Sequence, residues 1–234
     1  MHYLDDIRKI MNRFDPFGWM EQFVPEPWLH RIIRAAMVGV ILSFLIVRIG
    51  QYDNFFFKPL WLAETLLFAV LATAFIVRHD PVGRSRGVAE IIVPLVGSVL
   101  PFGLLTTPPV MWMRGNSSLL TIISLWLTIA TLFTTWSMWT LRRSFSITVE
   151  ARALVTAGPY RWIRHPVYLG EVMATLAVMV WRLSLLNIMI FALFVGIQFS
   201  RAYLEERKLL SIFPDYRNFT GGSWWFWKIS RHTE

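Results

Sequence analysis

Six stretches of the 234-residue chain are apolar and long enough to lie in a lipid bilayer. They run from Ile32 to Val47, Pro59 to Val77, Val88 to Leu105, Ser117 to Leu141, Pro166 to Trp181 and Leu185 to Tyr203. A bilayer core takes about 20 apolar residues per helical span, and in hydrocarbon only helices or closed barrels satisfy the backbone. Composition agrees: 55% of residues are hydrophobic, 16% are charged and the mean hydropathy is +0.49, whereas soluble domains carry roughly a quarter charged residues. A water-soluble globule, a disordered chain, collagen and a coiled coil are excluded. The expected fold is an all-α polytopic membrane helix bundle of about six transmembrane helices with a pocket on its cytoplasmic side. The first and fifth stretches are short, and the first is bounded by Arg34 and Arg48, whose long stems can reach the headgroups.

Basic residues give the orientation, because cytoplasmic loops of membrane proteins collect Lys and Arg. Nineteen of the 23 Lys and Arg fall on one side of a six-span topology, including Arg8, Lys9 and Arg13 near the start and Lys228 and Arg231 in the tail. Arg48, Lys58, Arg114 and Arg182 fall on the other. Both termini are therefore expected in the cytoplasm, in the inner membrane of a prokaryote or the endoplasmic reticulum of a eukaryote. The net charge of +8 follows from topology, with attraction to anionic lipid as a side effect and no nucleic-acid partner required. The absence of cysteine rules out a disulfide framework, an iron–sulfur cluster, a thiolate zinc site and a cysteine nucleophile. No metal site is expected.

Three parts follow in order. Residues 1–30 mix charge with Phe14, Phe17, Trp19, Met20, Phe23 and Trp28 and read as an interfacial segment before the Pro25-Glu26-Pro27 break. Residues 31–141 carry the first four spans. Residues 142–234 hold a 24-residue linker from Arg142 to His165, a helical hairpin over 166–203 and a cytoplasmic tail. Linkers this long are more often functional than idle. The aromatic run Trp224, Trp225, Phe226 and Trp227 reads as an interfacial anchor.

The hairpin brings linker and tail together. Gly158-Pro159 marks a turn, and Pro166 suits the first position of a helix, where its missing N–H costs nothing. His165 to Arg182 and Ser184 to Arg201 each span 17 residue steps, so each arm is roughly 26 Å long and His165 returns to the depth of Arg201. Glu205 lies one turn beyond Arg201 on the same face, with Glu206 turned about 100° away. The spacing predicts one pocket containing His165, Tyr168, Arg201 and Glu205. The competing readings are a histidine lying among headgroups and an ordinary Arg201–Glu205 surface ion pair. Glu64, Glu90 and Glu171 are carboxylates within apolar spans and thus candidate functional residues. Glu171, three residues past Tyr168, is expected to border the pocket on the substrate side. Pro94 and Pro101 are expected to kink the third span and open a lateral entrance.

The run Arg152-Ala153-Leu154-Val155-Thr156-Ala157-Gly158-Pro159-Tyr160, continuing through Arg164-His165-Pro166-Val167-Tyr168, resembles the cofactor region of the isoprenylcysteine carboxyl methyltransferase family. Arg201-Ala202-Tyr203-Leu204-Glu205-Glu206, followed by Phe213-Pro214-Asp215-Tyr216, is similar to that family's second motif, and phospholipid N-methyltransferases share the plan. The resemblance covers Phe145 to Phe219. It implies S-adenosylmethionine as cofactor, held by Arg152, Ala153, Leu154, Val155, Tyr160, His165, Pro166, Val167, Tyr168 and Glu205. Arg201, with His165, falls at the catalytic position, and Arg201 is near the substrate. The implied partner is a lipophilic methyl acceptor. Arg152 stands where eukaryotic members tend to have histidine, and the tail Arg217-Asn218-Phe219-Thr220-Gly221-Gly222 lacks their basic-Val-Pro ending.

The chemistry of the residues leaves the acceptor open. A carboxylate is already ionised and could be oriented by Arg201. An amine must first lose a proton, with His165 or Glu205 as acceptors, and a phospholipid or small-molecule N- or S-acceptor fits the same plan. A sterol-type reductase using NADPH and a non-catalytic membrane scaffold are the rival classes. No glycine-rich dinucleotide or P-loop signature is present, which weighs against an ATPase. The oligomeric state is not encoded in these motifs.

Overall fold

The computed structural model describes residues 15–111 and 115–227. Arg8, Lys9, Arg13, Phe14, Arg114, Lys228 and Arg231, with residues 1–14 of the interfacial segment expected over residues 1–30, lie outside the described residues. Among the described residues the structure is all-helical, 74% helix with no strand. Two short helices, α1 (Pro16–Met20) and α8 (Tyr216–Thr220), flank six apolar ones. These are α2 (Glu26–Gly50), α3 (Lys58–Val77), α4 (Gly87–Val99), α5 (Ser117–Leu141), α6 (Pro166–Trp181) and α7 (Leu185–Ile212). Among the described residues, five spans are long and apolar enough to cross a bilayer: α2, α3, α4 with its extension to Thr106, α5 to Ser144, and α7. At 16 residues α6 is shorter, roughly 24 Å long, and it packs against α5 and α7.

The first span is longer at both ends than its apolar stretch, because the arginines expected to bound it lie inside the helix. Pro25 sets the entry and Pro27 occupies the first turn. Arg48 is neutralised at depth by Glu64 of α3, 2.7 Å away, and Arg34 reaches the Arg78 carbonyl at 3.2 Å and Asp80 at 3.4 Å. Trp19, Phe23 and Trp28 are exposed, as aromatic side chains at a membrane interface are.

Close packing of α5 against α6 depends on small and hydroxylated residues. Thr128, Ala130, Thr131, Thr134, Thr135 and Ser137 form the buried face of α5. The hydroxyls of Thr128, Thr134, Thr135 and Ser137 are satisfied within the helix, for example Thr134 to the Ala130 carbonyl at 2.9 Å and Ser137 to that of Phe133 at 2.8 Å, which keeps polar atoms from lipid. Gly170 of α6 sits directly on this face: a Cβ there would lie 2.2 Å from Thr134 Oγ1 and 3.2 Å from its backbone nitrogen. The far end of the hairpin is pinned by Asn187, which is fully buried. Its Nδ2 donates to Thr107 Oγ1 at 2.7 Å and to the Arg182 carbonyl at 2.6 Å.

The third apolar stretch divides at Pro101, where α4 passes into a 3-10 segment from Leu100 to Thr106. Pro94 lies inside α4 and has no N–H for the carbonyl of Glu90 four residues back. That freed carbonyl accepts instead from the Val149 N–H at 3.0 Å. Ser85 Oγ donates to the Val149 carbonyl at 3.0 Å, and Ala151 exchanges backbone bonds with Gly83 at 2.9 and 3.0 Å. The long linker is thereby fastened to the loop between α3 and α4.

Two outcomes test this packing. Gly170→Val should cost about 1–3 kcal/mol through overpacking, read as a lowered unfolding midpoint in detergent, whereas Gly39→Val, with no atom within 4 Å, should leave it unchanged. Pro94→Ala returns a competing N–H and should speed amide exchange at Val149, measured by hydrogen–deuterium exchange; unaltered exchange would show that the linker is held without the Glu90 carbonyl.

Candidate active site

The linker enters the site through Gly158, whose φ of +55° favours glycine. A Cβ there would also meet Thr140 Oγ1 at 2.8 Å. The turn buries Pro159 and Tyr160 and delivers His165 to the start of α6, where Pro166 occupies the first turn. Around it opens a cavity of about 460 Å3, within the range of small-molecule sites. Arg152, Ala153, Leu154, Val155, Tyr160, His165, Val167, Tyr168, Glu171, Arg201 and Glu205 all line it. Pro166 does not; it is buried and serves to start the helix. The cavity continues past Leu67, Leu71, Gly97, Pro101 and Phe102, so a polar end near the linker runs into an apolar end between α3 and α4.

His165 is buried between two carboxylates. Its Nε2 lies 3.1 Å from Glu206 and its Nδ1 3.7 Å from Glu205. The ring stacks on Tyr168 with centroids 5.5 Å apart and takes the edge of Trp225 at 4.9 Å. Burial alone would depress the imidazole, but hydrogen bonds and charge from Glu205 and Glu206 outweigh it and raise its pKa. His165 is therefore held toward imidazolium, which suits a fixed cation better than a ready proton acceptor.

Arg201 and Glu205 do not pair with each other, so the competing reading of an ordinary surface ion pair fails. The Tyr168 hydroxyl donates to Glu205, while Arg201 turns to Gln198 Oε1 at 3.0 Å and Glu171 Oε2 at 3.5 Å. The Arg201 guanidinium also lies over the Tyr168 ring, 4.5 Å from its centroid. Gln198 in turn donates to Glu171. At the linker, Arg152 pairs with Glu150 at 2.5 Å, and Ser146 Oγ donates to the same carboxylate at 2.8 Å. The other two membrane carboxylates hold the scaffold: Glu64 pairs with Arg48, and Glu90 with Lys208.

Several of these residues were not singled out from sequence. Glu206 is only 2% exposed and binds Arg164 at 2.8 Å, His165 and the Trp227 indole N–H. Its signal was adjacency to Glu205, since neighbouring helical residues face different elements. The aromatic run is also not a simple anchor. Trp224 donates to the Trp162 carbonyl at 2.7 Å and accepts from Arg164 N–H at 3.1 Å, which bridges the run to the linker beside Ile163, and successive side chains turn to opposite sides. Trp224 and Phe226 face outward, 51% and 58% exposed, whereas Trp225 is 8% exposed against His165.

With that geometry in place, the comparison with known families is informative. A model of the isoprenylcysteine carboxyl methyltransferase family matches residues 120–211. The match joins α5 to the linker and hairpin, beginning before Ser144, where the motif resemblance had no support, and stopping short of Phe213-Pro214. Residues 120–211 are thus similar to the family that the two motifs resemble. No curated protein matches the chain.

A raised histidine pKa in the folded state gives stability that is complete below the unfolded value of about 6.5 and is lost as pH rises through the folded value. Glu206→Gln should lower the His165 pKa and shift that loss to lower pH, as read by NMR titration of labelled histidine in micelles. An unmoved titration would show that Glu205 alone holds the proton.

Proposed function

We propose that the protein transfers a methyl group from S-adenosylmethionine to a lipophilic acceptor at the cytoplasmic face of its membrane. The observation that carries this reading is one continuous cavity with a charged, aromatic end built by the linker and hairpin and an apolar end open toward α3 and α4. The donor set fits the cofactor: a cavity-facing carboxylate in Glu205 complements a sulfonium cation, and Leu154, Val155 and Tyr160 supply apolar and aromatic walls for an adenine. When bound, S-adenosylmethionine supplies an electrophilic methyl. The chain's own work is to position two reactants and exclude water. Glu205 is steered by the Tyr168 hydroxyl, and His165, clamped between the glutamates, fixes the mouth of the hairpin.

The lipid part of the acceptor enters among the spans, and the break at Pro101 lies on the cavity wall where a lateral entrance is expected. The basic-residue distribution supports an orientation with both termini cytoplasmic, which puts the polar end where the cofactor is dissolved. A reductase using NADPH has no comparable support, since the family match is to methyltransferases.

Calorimetric titration of purified protein with S-adenosylmethionine tests the reading. Saturable binding is expected in wild type, a loss of at least about 10-fold (1.4 kcal/mol) in Glu205→Ala, and near-normal binding in Arg201→Ala with methyl transfer abolished. Binding equal in wild type and Glu205→Ala contradicts the assignment, and binding of NADPH alone favours the reductase.

A further inference from the structure

We infer that the acceptor is a lipophilic amine, recognised and deprotonated by Glu171; this rests on the methyltransferase reading above. The basis is the pairing of charge around the cavity. Each guanidinium in its wall already has a carboxylate: Arg152 has Glu150, Arg164 has Glu206 and Arg201 has Glu171. All three are sequestered, with side chains 2%, 2% and 6% exposed. Arg201, the residue that would orient an acceptor carboxylate, is occupied on one side by Gln198 and Glu171 and on its face by Tyr168. Its stem packs against Gly97 of α4, where an added Cβ would lie 3.3 Å from Arg201 Cδ.

The charges that do open on the cavity are carboxylates. The Glu171 side chain is 35% exposed and that of Glu205 27%. A carboxylate acceptor placed here would meet like charge in a medium that screens poorly. It would also have to displace Glu171 from Arg201. An ammonium meets the opposite field. Glu205 lies against His165 and Tyr168 at the linker end, where the sulfonium cation would sit. Glu171, one turn further along α6, faces the route from the apolar end, so each carboxylate has one cation to match.

The chemistry balances without a further reactant. An ammonium headgroup gives one proton to the Glu171 carboxylate, becoming a neutral amine with a free electron pair. That pair forms the new N–C bond as the methyl leaves sulfur, whose C–S electrons stay on the resulting thioether. The product is an alkylated ammonium, and Glu171 returns its proton to water. Arg201 and Gln198 hold the Glu171 carboxylate in position; its second oxygen is available to the headgroup.

The test compares a tritiated long-chain amine, hexadecylamine, with hexadecanoate of equal chain length, using full-length protein in nanodiscs. The amine is expected to bind at least 10-fold more tightly. Glu171→Gln should erase or reverse that preference by freeing Arg201, and Glu171→Asp, which keeps the charge, should retain it and so guard against a folding defect. With methyl-labelled S-adenosylmethionine the incorporated label should resist alkali, as an N-methyl group does and a methyl ester does not. Equal binding, a preference untouched in Glu171→Gln, alkali-labile label, or no label in the amine overturns the inference. Cofactor titration of the same samples separates the two levels. A protein that prefers the amine without binding S-adenosylmethionine contradicts the methyltransferase reading, whereas one that binds the cofactor and prefers the carboxylate contradicts only the amine.

Discussion

Glu205 and Glu206 are adjacent on α7 and point about 100° apart, and the site depends on that divergence. Glu206 turns inward to Arg164, His165 and Trp227, joining the linker, the start of α6 and the tail around one buried charge. Glu205 turns to the cavity and is steered by Tyr168. A buried carboxylate without partners is costly, so the bonds that neutralise Glu206 also fix where the linker ends. The position of His165 follows from that, and with it the mouth of the cavity.

Proline and glycine shape this architecture as much as charge does. Pro94 is a defect in α4 by local rules, yet the carbonyl it frees is the point at which Val149 and the linker dock. Gly170 brings α6 close enough to α5 for the Thr134 hydroxyl to lie where a side chain would be. Neither residue touches the polar end of the cavity, and both set the distance across it.

Much of this was legible in the sequence because it depended on counting. Spacing along the hairpin placed His165 at the depth of Arg201, and Tyr168, Arg201 and Glu205 do share one cavity. The apolar runs gave the helices, with α2 extended because Arg48 found Glu64 instead of the headgroups. Partner choice was less legible. An i, i+4 rule cannot know that Tyr168 will claim Glu205, or that Glu171 and Gln198 will claim Arg201 from another face. The Trp224–Trp227 run was read by composition as an anchor, whereas its alternation, visible only once Trp224 is seen to bridge the linker, divides it into an outer and an inner face.

That inner face has a consequence for what counts as the site. Trp225 covers His165 and the Trp227 indole N–H donates to Glu206, while Trp224 ties the same run to the linker through Trp162 and Arg164. The tail is therefore a wall of the site: whatever loosens residues 224–227 exposes Glu206, the buried carboxylate on which the linker and hairpin converge.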